Sequence, residues 1–167
     1  DAGQLVVFGW RDRAWHTLWR SPPTWSPVLH VELADLTGVG RPQLVLADQA
    51  GGVAVWQWPF LEPVSQGFVW GTPMSMAVAN LDGAPSLQII VTTTDRLLYR
   101  YVWQGDQLVP AGVPVHDARL PFDLLQPVHW GDEPRATVAG HYAGGLGLWR
   151  ITSTALELVA VGQPQDP

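Results

Sequence analysis

Cysteine and lysine are both absent from this chain of 167 residues, and charged residues of either sign make up only 14% of it. Without cysteine there is no disulfide framework and no thiol nucleophile. All nine basic residues are arginine, and their densest stretch is Arg11, Arg13 and Arg20. That is too sparse for the basic footprint of a nucleic-acid binder, and a formal net charge of −6 argues the same way. No apolar run reaches the length of a membrane span, and no signal-peptide pattern opens the chain. No segment combines a helical period with capping residues, and 17 Gly and 15 Pro weigh further against helices.

What the chain has in quantity is hydrophobic residues, at 47%, and ten tryptophans. Its length allows one domain with a real core. A segment at 32–58 sets the pattern: a small-residue turn at Gly38 and Gly40, the apolar run Leu44, Val45 and Leu46, then Gly51 and Gly52 turning into Val53, Ala54, Val55 and Trp56. Shifted by 45 positions, Gln43, Leu44, Val45 and Leu46 fall on Gln88, Ile89, Ile90 and Val91, and Trp56 and Trp58 fall on Tyr101 and Trp103. A third copy places Val138 and Ala139 on Leu46 and Ala47, and Trp149 on Trp56, with one residue inserted at the glycine turn. Agreement in turn glycines, apolar runs and aromatics marks a true internal repeat.

Each copy parses as four short β-rich runs, about 29–34, 43–47, 53–58 and 61–64 in the first, separated by Gly, Pro, Asp and Asn. Middle runs that are continuously apolar suit sheets covered on both faces. Four-stranded units of this length, stacked face to face, are the blades of a β-propeller. Residues 3–10 align with the third strand of a blade and 14–19 with its fourth, so the N-terminal portion reads as half a blade. The predicted organisation is all-β: a half-blade at 1–26, blades at 27–72, 73–119 and 120–163, and a tail at 164–167.

Three and a half blades do not close a ring, since closed propellers need about four or more. The expectation is therefore an incomplete ring, completed by further chain, by a protein partner or by more copies. Two copies would hold seven blades' worth of strands, although the C-terminal end offers no spare first and second strands for the half-blade.

The sequence Asp-Leu-x-Gly-x-Gly-x-Pro-x-Leu-Val-Leu-Ala-Asp at 35–48, followed by Gly-Gly-Val-x-Val-Trp at 51–56, resembles the FG-GAP/VCBS repeat, the blade unit of integrin-α-type propellers. The likeness is best at 35–58, fair at 80–103 and visible at 134–149. It implies an extracellular or cell-surface module for protein binding, adhesion or assembly. In that family the loop after the first strand often binds calcium through carboxylates at alternate positions. Here those positions hold Asp35, Thr37, Val39 and Gln43, then Asn80, Asp82, Ala84 and Gln88. One carboxylate per loop leaves calcium short of the charged oxygens it needs. The loops are expected to be turns in which a side chain caps backbone N–H groups, with no metal and no cofactor.

Catalytic constellations are not apparent. His16, His30, His116, His129 and His141 form no tight cluster, although His129 and His141 fall in one blade. Ser65, Ser75 and Ser86 lie in no nucleophile-elbow context. The carboxylates sit mostly at turns, and the glycine pairs precede strands rather than helices. Tryptophans carry the remaining functional promise. Phe8, Trp56, Tyr101 and Trp149 share one repeat position, and Trp10, Trp58 and Trp103 share another; repetition argues for core packing between blades. Trp25 and Trp70 stand in Pro/Gly-containing connections. They read either as rings sealing the rim of the core or as platforms for stacking sugars, as the resemblance to fungal lectins built from similar repeats implies. The favoured function is a non-catalytic binding scaffold; a carbohydrate-binding propeller is the alternative, and an enzyme is the least supported.

Overall fold

Short antiparallel hairpins repeat along the whole chain in the computed structural model, which describes residues 3–24, 26–57, 62–81, 86–120, 122, 124–128, 137–142, 145–152 and 155–162. The first unit pairs β1 (Val6–Arg11) with β2 (Ala14–Arg20). Its turn residues Asp12 and Arg13 both take positive φ, 51° and 61°, the primed geometry whose twist matches the flanking strands. Backbone bonds from Ser21 to Leu5 and from Thr24 to Gly3 extend this ladder beyond the strands.

Three meanders follow. The first runs β3 (Val28–Ala34), β4 (Gln43–Asp48), β5 (Gly52–Gln57) and β6 (Glu62–Phe68), neighbours in that order. The second runs β7 (Pro73–Ala79), β8 (Gln88–Thr93), β9 (Leu97–Gln104) and β10 (Gln107–Pro110). Its fourth position holds a second short piece, β11 (Val115–His116), which also pairs with β9. The predicted single fourth strand is split because Gly112 turns at φ 95° and Pro114 follows. The third meander runs β12 (Leu125–Val128), β13 (Thr137–Tyr142), β14 (Gly145–Ile151) and β15 (Leu156–Gly162). No helix among the described residues is long and apolar enough to cross a membrane.

The sheets stack, and the core lies between them in two layers. One joins the first and second meanders through Val45, Val53 and Val55 against Met76, Val78, Ile89, Val91 and Tyr101. The other joins the second and third through Ala77, Ile90 and Leu98 against Phe122, Leu125, Val138 and Trp149. The middle meander is thus covered on both faces, and all six residues of β8 are buried. That is why its strands read as continuous apolar runs rather than alternating ones. Polar bonds pin the same layer: the Tyr101 hydroxyl donates to the Phe68 carbonyl, and the Leu108 N–H donates to Ser65 Oγ at 2.8 Å. Gly67 sits where β6 closes on the Tyr101 ring, and a Cβ there would lie 2.9 Å from it. Gly51, at φ 93°, makes the turn into β5, where a side chain would run into the Val69 carbonyl.

One repeat position shows how coverage decides burial. Registers place Trp149, Tyr101 and Trp56 on the face turned toward the preceding unit. Trp149 is 0% exposed and Tyr101 3%, each under a complete preceding sheet. Trp56 is half-buried, capped edge-on by Trp19 of the two-stranded unit at 5.9 Å. Phe8, which faces no other sheet among the described residues, is 54% exposed. Core packing, expected for Phe8 and Trp10 from the repeat, does not hold among the described residues: they are 54% and 59% exposed, and no described sheet lies against that side of β1. Trp103 packs partly buried on the first core layer, while Trp58 lies outside the described residues.

Candidate functional site

Three places deserve comparison as sites. The first is the loop that resembles a calcium site. Asp35 Oδ1 accepts the Thr37 hydroxyl at 2.9 Å and the Gly38 N–H at 2.8 Å, and Oδ2 accepts the Gly40 N–H at 2.6 Å. Gly38 and Gly40 take positive φ, which turns their N–H groups inward. Gln43, buried at the loop's end, accepts the Leu36 N–H at 2.8 Å and donates to the Arg41 carbonyl at 2.7 Å. Lost hydration pushes the Asp35 carboxyl up, but the donors from Gly40, Thr37, Gly38 and Val39 outweigh it and hold the group below the usual Asp range. The side chain organises its own loop. In the second copy Asn80 is partly buried, and Asp82 lies outside the described residues.

The second place is the rim at Trp70, whose ring is 68% exposed. Phe68, also exposed, meets it edge-on at 5.6 Å, and the Trp70 N–H donates to the Tyr99 hydroxyl at 3.0 Å. The backbone is anchored while the rings face solvent, so Trp70 seals no core. Trp25 lies outside the described residues.

The third place is the end of the stack that begins with β1, where the repeat marked Phe8, Trp10 and Trp56 as core aromatics but did not single out Leu29, Val31 and Leu33. The two-stranded unit covers only the outer half of the first meander. Cross-strand registers put Val31 beside Leu46 and Leu33 beside Leu44, on the face turned away from the core. There Val31 and Leu33 are 53% and 56% exposed, and Leu29 is exposed beside them. Their repeat equivalents in the next meander, Met76 and Val78, are 9% and 8% exposed because β3 lies against β7. On the outer side, Phe8, Trp10 and Trp15 are exposed too, with Trp10 and Trp15 in an edge-on pair at 5.3 Å. A cavity of about 450 Å³ opens on the same face, between the connection Pro22, Pro23 and Thr24 and the side chains Leu46, Ala54, Trp56 and Gln66. The connection is fixed from both sides: the Gln49 N–H bonds the Pro27 carbonyl at 2.8 Å, and the Ala50 N–H bonds Ser26 Oγ at 3.0 Å. This apolar step, with aromatics outside and aliphatics inside, is the strongest candidate for a binding surface. The repeat alignment did carry a signal for it: residues 3–10 and 14–19 align with third and fourth strands, so among the described residues no first or second strand faces β3.

No protein-family model matches the chain, and no curated protein matches it. Among solved structures, it is similar to a chain in the crystal structure of BBS1N in complex with ARL6DN, soaked with lead, with a TM-score of 0.59 and 17% sequence identity. The match covers 78% of this chain and 42% of that one, so this chain spans less than half the length of its structural neighbour. That neighbour is a β-propeller, and the fold here is a β-propeller segment of three blades and a half-blade.

Proposed function

We propose that this protein is a non-catalytic β-propeller scaffold that binds another protein through the open end of its blade stack, as an FG-GAP/VCBS-type module of adhesion or assembly at the cell surface. The observation that carries this reading is the uncovered apolar step formed by Leu29, Val31 and Leu33 with Phe8, Trp10 and Trp15. The neighbouring BBS1N structure, described as a complex with ARL6DN, supports protein binding as a use of the fold. A photoreactive amino acid at position 33, compared with one at the exposed Val39 of the 35–43 loop, tests the proposal in cells of the source organism. A single dominant protein adduct at position 33, absent from the loop probe, is the expected result. Equal, diffuse labelling at both positions overturns it.

A second reading rests on Trp70. An exposed indole on an anchored backbone, flanked by Phe68, suits stacking on a sugar face. Glycan titration followed by tryptophan fluorescence checks it: a saturable change lost in Trp70→Ala supports a lectin role, and silence across the glycan set removes it.

A further inference from the structure

We infer that the sugar taken at Trp70 is a cationic one: an amino sugar whose protonated amine meets the Asp95 carboxylate while its ring stacks on the indole. This inference rests on the sugar-stacking reading of Trp70 above. The place lies where the connection from the first to the second meander meets the turn between β8 and β9, so it is built by two meanders of four strands or more.

One half of the place is an aromatic corner. Phe68 and Trp70 are both exposed, and their rings stand at 89° to one another. The bond from the Trp70 N–H to the Tyr99 hydroxyl fixes where that corner sits. Aromatic faces carry the negative lobe of a quadrupole, so they attract a cation as well as stacking on the apolar C–H groups of a sugar.

The other half is a carboxylate. Gly71 takes φ 80°, and a Cβ there would lie 2.9 Å from Asp95 Cγ and Oδ2 and 3.1 Å from Thr94 Oγ1. The β8–β9 turn thus closes on the connection one residue from Trp70. Two bonds hold it there: the Thr94 N–H donates to the Thr72 carbonyl at 3.0 Å, and the Thr72 N–H donates to Thr94 Oγ1 at 3.1 Å. Asp95 is exposed, and among the described residues its carboxylate makes no hydrogen bond and no ion pair, even with the adjacent Arg96. Its turn does not require it. The repeat puts Ala50 at the same position, and that earlier turn is capped by Asp48 Oδ1, which accepts the Ala50 and Gly52 N–H groups at 2.9 and 3.0 Å. An unengaged carboxylate beside a negative aromatic face selects positive charge by two routes, and the net charge of −6 acts in the same direction.

The test titrates the whole chain with a glucosamine trisaccharide and with its fully N-acetylated counterpart, which keeps the rings and removes the charge. Mildly acidic, low-salt buffer keeps the amines protonated, and tryptophan fluorescence reads binding. Expected is saturable binding of the glucosamine form, roughly 5–30-fold tighter than the N-acetylated form, the combined range for an exposed cation–π contact and an exposed ion pair. Added salt should weaken only the cationic form. Asp95→Asn should erase the preference and leave the N-acetylated form unchanged, while Trp70→Ala should abolish both. Equal binding of the two forms overturns the inference, as does a preference that survives in Asp95→Asn. In either case binding lost in Trp70→Ala keeps the sugar reading, and the charge selection alone falls. Failure of both forms beside a neutral glycan that binds through Trp70 has the same meaning. Silence across all glycans removes the inference and the sugar reading together.

Discussion

Truncating one repeat position in four successive units measures directly how far each face is covered. Phe8, Trp56, Tyr101 and Trp149 occupy equivalent places in their sheets, yet range from 54% exposed at Phe8 to 0% at Trp149. Fully burying an aromatic side chain removes about 150–250 Å² from water. At roughly 25 cal/mol per Å² that is about 4–6 kcal/mol. Measured truncations of buried Phe and Trp cost about 3–5 kcal/mol. Trp149 also stacks on Phe122 at 5.1 Å and carries the Arg119 guanidinium 4.7 Å above its ring. Trp149→Ala should therefore cost about 3–5 kcal/mol, which at about 2–4 °C per kcal/mol lowers the melting temperature by about 6–20 °C. Tyr101→Ala should cost a similar amount, because it also strands the Phe68 carbonyl. Trp56→Ala should fall near 2 kcal/mol, and Phe8→Ala near 1 kcal/mol or below, as for surface changes generally (roughly). Urea unfolding with unchanged slope reads these differences. Equal costs at Phe8 and Trp149 would refute the reasoning, since the face of β1 would then be covered in solution.

Other outcomes follow from the same contacts. Leu33→Arg should leave folding intact while Val78→Arg, at the equivalent covered position, costs about 3–5 kcal/mol as an unpaired buried charge; circular dichroism melts of the pair check this. Calcium should leave the melting temperature unchanged. Asp35→Ala should lower it at neutral pH, with the difference shrinking as acid protonates Asp35 below the usual Asp range, because a depressed pKa contributes stability only above it. Burial holds the His30 imidazole below its ordinary value of 6.5, against backbone bonds to Pro73 and Met74 that raise it. Stability should therefore fall as pH drops below about 6.5, and His30→Gln should flatten that slope in a pH series of melts. Burial raises the Glu32 carboxyl on the same face of β3, so its folded-state advantage exists at low pH and is lost as pH rises through the raised value. Glu32→Gln should melt higher than the parent at neutral pH and converge with it in acid.

Much of the architecture was legible in local chemistry. Glycine pairs and short β-branched runs announce strands at 43–47 and 53–58, observed at Gln43–Asp48 and Gly52–Gln57. Those signals are local because a turn's φ angles and a strand's alternation are properties of neighbouring residues. The fourth strand of the first blade was less legible: predicted at 61–64, it runs Glu62–Phe68, because Gln66 and Gly67 are strand residues only through pairing with Ala54 and Val53. The fourth position of the next blade likewise breaks at 112–114, which periodicity did not reveal.

By itself, then, the sequence determined the unit: four strands, their turns, the register that stacks an aromatic at one place in every copy, and a loop whose lone Asp35 has only backbone and hydroxyl donors to serve. Only the tertiary structure decided which copies of that aromatic are core and which are surface, and that Leu29, Val31 and Leu33 are exposed while the equivalents Met76 and Val78 are covered. The reason is physical. A strand residue's face is set by its own position along the chain, but its burial is set by whatever sheet lies about 10 Å away, and among the described residues that preceding neighbour is four strands or more for the second and third meanders and only the β1–β2 pair for the first.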